Sequence, residues 1–270
     1  MKGAGDLATG AALSLCRAGF RVLMTELAEP IAIRLSVSFA QAIYAGSHVV
    51  EGIGAERCAR DGWEAVLAAG AVAVVVDPEA RVLNECSPVV VVDAVMAKRN
   101  TGTARREGSV VIGLGPGFSA GDDVDAVVET MRGHELGRVV RKGSARQNTG
   151  IPGEVGGRTA DRVLRAPADG RVIHERRIGD VVEEGAVVAR VGGAAVRAAF
   201  DGCVRGLIHE GIEVTRGMKI GDVDPRADAR FVDIVSDKAR AVGRAVLEAA
   251  LEIGRERGLL SVGALNPEGL

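Results

Sequence analysis

The chain has 270 residues, 47% of them hydrophobic, and a formal net charge of −2, so it can build a sizeable core and suggests two domains. That charge gives no electrostatic basis for nucleic acid or an anionic membrane as the main partner. Cys16, Cys58, Cys86 and Cys203 form no CxxC pair, His48, His134, His174 and His209 lack ligand spacing, and no signal pattern or apolar run of roughly 18 residues occurs; a cytoplasmic protein without a metal site is expected.

The chain opens MKGAGDLATG, a loop with Gly3, Gly5 and Gly10 of the kind that follows a buried strand, although only Met1 and Lys2 precede it. Leu7, Ala11, Leu15 and Ala18 recur at helical spacing and Gly19 closes that helix. A strand over 21–26 ends on Glu26. The pattern then predicts a helix over 30–44, a β-rich stretch over 48–51 and a capped helix over 61–69. Three continuous β-branched runs follow, 71–76, 89–93 and 109–113. Such runs alternating with helices predict an α/β domain over 1–132, with a Rossmann-like parallel sheet covered on both faces.

In that setting the opening loop borders a ligand crevice. Amides at Gly3, Gly5 and Asp6, together with Thr9 and Gly10 at the start of the helix, suit a phosphate, and Glu26 stands where such folds place the acid for a ribose hydroxyl. The spacing departs by two residues from the usual dinucleotide fingerprint, and the alternative is a tight turn with Glu26 at a solvated strand end. A second unit, SVVIGLGPGFSAGDDVDAVVETMRG, places Gly115, Gly117 and Ser119 after a strand and predicts a helix over 124–131. Asn100 and Asn148 each open an Asn-Thr-Gly tripeptide after basic residues, Lys98 among them. They are either ordinary turns or an amide-rich basic rim suited to an anionic pterin or nucleotide.

After a connecting segment over 133–164, residues 165–222 repeat at an offset of 32. RAPADGRV matches RAAFDGCV, and the Gly179–Val182–Gly185 pattern matches Gly211–Val214–Gly217. This duplication predicts two interlocked β-halves over 165–224. It resembles the biotinyl/lipoyl barrel-sandwich, yet the hairpin between the halves, near 191–195, holds no lysine. Lys219 falls at the repeat-equivalent of Val187, so neither biotin nor lipoate is expected. A C-terminal strand over 231–235 and a helix over 237–253, capped by Ser236, occupy 225–257; residues 258–270 show no pattern.

The phrases GAGDLATG, TELAEPIAIRLSVSFAQAIYAG, VEGIGA, IGLGPGFSAG, VVETMRGHELGRVV, NTGIPGEVGG, RAPADG and SDKARAVG together resemble the YqeB family, accessory proteins of selenium-dependent molybdenum hydroxylase systems. The likeness runs over about residues 3–255. It implies a Rossmann-like domain and a role in maturing a molybdenum hydroxylase, with that hydroxylase or its maturation proteins as partners. It supplies no catalytic residue. Two departures stand out: the strand that usually precedes GAGDLATG is missing, which reads as truncation upstream, and Leu35 occupies a position where a second arginine is expected after Arg34.

The leading expectation is therefore a maturation factor binding a nucleotide or the dinucleotide form of the molybdenum cofactor. Gly3, Gly5, Asp6, Thr9, Gly10 and Glu26 would form one wall, Gly115, Gly117 and Ser119 another, and Lys98, Asn100 and Asn148 the rim. An NAD(P)-dependent oxidoreductase is the alternative, although no hydride-transfer set is evident, and a non-enzymatic scaffold is the third. Cys58 and Cys86 read as structural rather than as selenosulfide carriers.

Overall fold

A computed structural model describes residues 1–150 and 153–261, so most of the patternless 258–270 tail lies outside the described residues. Its first layer is a mostly parallel sheet. Strands β1 (Leu23–Glu26), β2 (Ser47–Val50), β3 (Ile53–Cys58) and β4 (Val72–Val76) are ordered β1-β4-β3-β2. Strands β5 (Val90–Asp93), β6 (Val110–Leu114), β7 (Ala126–Val128) and β8 (Val139–Val140) are ordered β5-β6-β7-β8. Only the outer strands β2 and β8 run antiparallel to their neighbours.

The opening residues join these two sets. Lys2 is bridged in parallel to both Thr25 of β1 and Asp93 of β5. Its N–H donates to Val92 O, Gly3 N–H to Thr25 O and Ala94 N–H to Lys2 O, at 2.8, 2.8 and 2.9 Å. Met1–Gly3 thus act as the central strand, parallel to both neighbours, and the order in which strands are added reverses there, β1 lying on one side and β5 on the other. In open α/β sheets ligands bind outside the carboxyl ends of the strands at such a switch point. The Lys2 ammonium is anchored below, 2.9 Å from buried Asp93 and donating to Thr103 Oγ1 at 2.6 Å.

Helix α1 (Asp6–Arg17) follows the opening loop, while α2 (Gln41–Ala45) and α3 (Trp63–Ala68) are short. Where helical spacing predicts 30–44 to be helical, the chain is irregular up to α2, with one 3-10 turn at Leu35–Val37. Serine side chains compete with the helix for backbone groups there: Ser38 Oγ donates to Arg34 O and Ser36 Oγ to Val232 O. The helix predicted over 124–131 is also absent. Its Ala-Val-Val core pairs with β6 as β7, because buried Asp125 is tied to Val111 N–H and to Arg105 and Arg257 instead of opening a helix.

The duplicated segment supplies β9 (Val163–Arg165), β10 (Gly170–His174), β11 (Val181–Val182), β12 (Val187–Val191), β13 (Ala194–Arg197), β14 (Gly202–Leu207), β15 (Glu213–Val214) and β16 (Lys219–Asp224). They form two antiparallel sheets, β13-β12-β10-β15 and β11-β14-β16-β9. Exchanging each strand with its counterpart 32 residues away turns one order into the other. Each sheet therefore takes strands from both halves, and both share one apolar core.

The strand predicted over 231–235 is a loop with a 3-10 turn at Ala229–Phe231. It leads into α4 (Asp237–Glu256), whose N-cap Ser236 accepts from Ala239 N–H. This helix packs back onto α1 and the first layer, burying Val242, Val246, Ala249 and Ile253 in the same core as Ala8, Ala11, Leu15 and Ile112. The chain thus returns from the β unit to the α/β layer. Among the described residues no helix is long and apolar enough to cross a membrane.

Candidate functional site

The carboxyl ends of the central strands open onto a cavity of about 490 Å³, within the range of small-molecule sites. Each wall comes from a different element. Asp6 and Leu7 lie just after Met1–Gly3, Met96 and Lys98 after β5, Pro116 after β6, and Glu129–Arg132 after β7. Ile33 and Arg34 enter from the segment after β1, and Ser236 and Lys238 from the start of α4. The β unit closes the cavity with Arg162, Arg205, Lys219 and Asp222, and Arg146 and Asn148 stand at its edge. Met96 and Lys98 both hold positive φ, 60° and 62°, a conformation that costs energy away from glycine and concentrates at functional loops.

Charge is the dominant property of this cavity. Its basic side chains outnumber its carboxylates, Asp6, Glu129 and Asp222, by eight to three. Some cations are neutralised nearby: Arg132 forms a two-pronged pair with Asp237 at 2.6 and 2.7 Å, Arg146 pairs with Glu135 at 2.6 Å, and Arg162 is bound to Asp222. Two guanidiniums behave differently. Arg34, 7% exposed, uses Nη2 to donate to the carbonyls of Phe231 and Ile234 at 2.9 and 3.1 Å, while its Nε and Nη1 have no hydrogen-bond partner. Arg205, equally buried, lies 3.9 Å from Asp222 and 3.7 Å from Asp224, and its Nε is also unpartnered. Burial, reinforced by repulsion from Arg34, pushes the Arg205 pKa down. Burial likewise lowers Lys219 and Lys238. Buried donors without acceptors are rare and call for an explanation.

Of the residues singled out by the glycine loops, Asp6, Lys98 and Asn148 line the cavity. The others do not line it, and all but Gly5 are packed or hydrogen-bonded within the protein. Both Glu26 oxygens accept backbone N–H groups, from Ala4 at 3.0 Å and Leu27 at 2.7 Å, so this acid buttresses the opening loop. Thr9, fully buried, donates to Ala4 O and accepts from Phe39 N–H. Gly3 is held at φ +88° with Ala94 O just 3.0 Å from where a Cβ would sit, and Gly10 faces the α4 backbone. Gly5 alone among these meets open space. In the second loop, Gly115 abuts Thr130 and Gly117 abuts the Arg99 backbone; Ser119 Oγ donates to Asp122. Asn100 is an Asx turn, its Oδ1 accepting from Gly102 and Thr103 and its Nδ2 donating to Thr103 O and Asp123. The acids of that loop are thereby turned toward protein partners.

The glycine pattern points to the end of the sheet where this cavity opens but does not include Arg34, Arg205, Lys219 and Lys238, which also line it. Arg205 and Lys219 lie on β-strands far along the chain from both glycine loops, where nothing local announces a ligand. Burial raises all four thiols, Cys16 to about 11 and Cys58, Cys86 and Cys203 in the same direction, which favours unreactive neutral forms. Among the described residues no group of three or more His, Cys, Asp or Glu side chains is placed to hold a metal.

No family model matches the chain. Similarity to solved structures is slight: an aspartoacylase family protein from Mesorhizobium loti and the ectoine utilization protein EutE of Ruegeria pomeroyi share 16% and 19% identity. Each covers 32% of this chain and 27% of its own at a TM-score of 0.23, which bears on neither fold nor function. Sequence similarity is far stronger. The chain is 48% identical over 253 residues, 93% of its length, to YqeB, an uncharacterized protein of Escherichia coli (strain K12), and spans about half of that relative, 47%. That similarity runs over nearly the whole of this chain but only part of the relative.

Proposed function

We propose that this chain is an accessory protein in the maturation of a selenium-dependent molybdenum hydroxylase, binding a nucleotide or the dinucleotide form of the molybdenum cofactor in the cavity at the strand ends. The observation that carries the binding half is the pair of buried guanidiniums, Arg34 and Arg205, which have unused donors and line a cationic cavity at the switch point of the sheet. That donor set fits a phosphorylated ligand, and Lys98, Asn148 and Asp6 would contact its remaining polar groups. The maturation half rests on the resemblance to the YqeB family. In this reading the first layer is Rossmann-like and the duplicated β unit is a biotinyl/lipoyl-like barrel-sandwich that carries no swinging arm. The β12–β13 turn is Gly192-Gly193, and Lys219 faces the cavity. The protein works in the cytoplasm and delivers its ligand to the hydroxylase or its maturation proteins.

Equilibrium titration of NADH, NADPH, CTP, GTP and purified molybdenum cofactor against wild type and Arg205→Met tests this directly. Copurification of a molybdopterin species, lost in the variant, is the expected result. Tight NADH binding with turnover would instead identify an oxidoreductase, and no binding of any of these ligands would leave a scaffold.

A further inference from the structure

The cations with unused capacity in the cavity do not belong to the glycine loops. Arg34 comes from the segment after β1, Arg205 from β14, Lys219 from the first position of β16 and Lys238 from the first turn of α4. Among the described residues neither lysine has a hydrogen-bond or salt-bridge partner, and both are half-buried. The groups around them make this costly. Lys219 faces Asp222 but also Arg162, Arg165 and Arg205; Lys238 faces Asp6 and Glu129 but also Arg132 and Lys219. Arg205 is likewise repelled by Arg34. A fold gains nothing by crowding like charges away from water unless an anion neutralises them.

The amount of missing charge points to a particular anion. The eight cations and three carboxylates of the lining leave an excess of five. Asp237, Glu135 and Asp224, just outside the lining, stand beside Arg132, Arg146 and Arg205, and Glu135 and Asp224 are shared with Arg138 and Arg226, so the excess lies between two and four. A terminal diphosphate carries roughly this charge at neutral pH, whereas sulfate or a single phosphate supplies at most about two. The remaining unsatisfied atom in the cavity has opposite character. Asp6 Oδ1 is buried without a donor, while Oδ2 lies 3.6 Å from Arg34 Nη1.

We propose that the cavity recognises a diphosphate group, gripped by Arg34, Arg205, Lys219 and Lys238, and that Asp6 accepts a hydrogen bond from a hydroxyl or amine on the same ligand. The β unit then serves as the anion-binding wall of the site, and the ligand bridges it to the α/β layer. This rests on the reading of the cavity as a site for a phosphorylated ligand and assigns its phosphate end to residues outside both glycine loops.

Calorimetric titration of the full chain with inorganic pyrophosphate, orthophosphate and sulfate, and with ADP and AMP, tests the proposal. Pyrophosphate is expected to bind at least tenfold more tightly than orthophosphate or sulfate, and ADP more tightly than AMP. Arg205→Met and Lys219→Met, each checked for native circular dichroism, should weaken pyrophosphate at least tenfold. Asp6→Asn should tighten inorganic pyrophosphate, by removing a like charge, while weakening ADP. Equal binding of the three inorganic anions, or wild-type pyrophosphate affinity in both charge-removing variants, would overturn the proposal. Pyrophosphate binding as expected with no binding of any nucleotide or molybdenum cofactor would leave the diphosphate site standing and remove the proposed function. Cofactor binding that excess pyrophosphate fails to displace would do the reverse.

Discussion

Gly10 and Gly5 belong to one glycine pattern, yet their surroundings predict opposite responses to substitution. A Cβ at Gly10 would collide with the Ala239 carbonyl and lie 2.9 Å from Ala239 Cβ. One at Gly243, on the facing helix, would collide with the Gly10 carbonyl and lie 2.8 Å from Ser14 Oγ. The obstruction is largely backbone, which cannot rotate away, so α1 and α4 must separate. Overpacking of this kind costs about 3 kcal/mol at the upper end of its range. Replacing a mid-helix glycine by alanine returns about 1 kcal/mol of helix propensity. Gly10→Ala should therefore lose about 2 kcal/mol net, a fall in Tm of about 4–8 °C for a chain of this size.

Gly5 is the N-cap of α1 at φ −71° and ψ −172°, with nothing within 4 Å of where a Cβ would sit. Serine adopts that geometry and is a better cap than glycine, so Gly5→Ser should leave Tm within about 1 °C of wild type or raise it slightly. Scanning calorimetry and urea unfolding of both variants and of Gly243→Ala measure the contrast. A Gly10→Ala protein as stable as wild type would refute the close crossing as the reason for glycine there.

Three further outcomes follow from the charges. Arg205→Met removes a buried cation whose Nε makes no hydrogen bond, and leaves Asp222 with Arg162 and Asp224 with Arg226, so unliganded stability in urea should rise by about 1 kcal/mol while pyrophosphate binding weakens. Lys2→Met strands the buried Asp93 carboxylate, 1% exposed, and should cost about 3 kcal/mol by the same assay. Lys219 and Lys238 have folded-state pKa values below their unfolded ones, so in alkaline solution the unfolded chain binds more protons. Stability of the unliganded protein should then rise with pH from the lowered lysine pKa toward about 10.4, and the rise should vanish in the Lys219→Met/Lys238→Met double variant when Tm is followed against pH.

The legible parts of the sequence were those where local pattern and tertiary role coincide. The β-branched runs of β4, β5 and β6 are buried on both faces, so continuous hydrophobicity identified them. The repeat was legible because both halves need the same turn glycines and the same inward-facing valines. Residues 124–131 misled because the pattern of apolar and acidic residues fits a helix, while Asp125 satisfies Val111 N–H and two arginines from distant positions, which no local window contains. The same limit hid the site. Its cations converge from separate elements, and each one read alone resembles a solvated surface residue.

That convergence also accounts for how the β unit is seated. Arg34 ties the segment after β1 to the carbonyls of Phe231 and Ile234, where the chain leaves the β unit for α4. Next to it, Ile33 O fills the space a side chain at Gly206 would need, and Arg34 itself bridges in parallel to Leu207. Tyr44 stacks on His209 with ring centroids 3.7 Å apart. Ile33 and Tyr44, both from the α/β layer, therefore pack against the core of the β unit. These contacts fix Arg205 and Lys219 at a set distance from the strand ends without using the cations' own hydrogen-bonding capacity. A surface docked through its charges would have consumed them; here apolar packing and the Nη2 donors of Arg34 do the joining, and the remaining positive charge is left at the cavity.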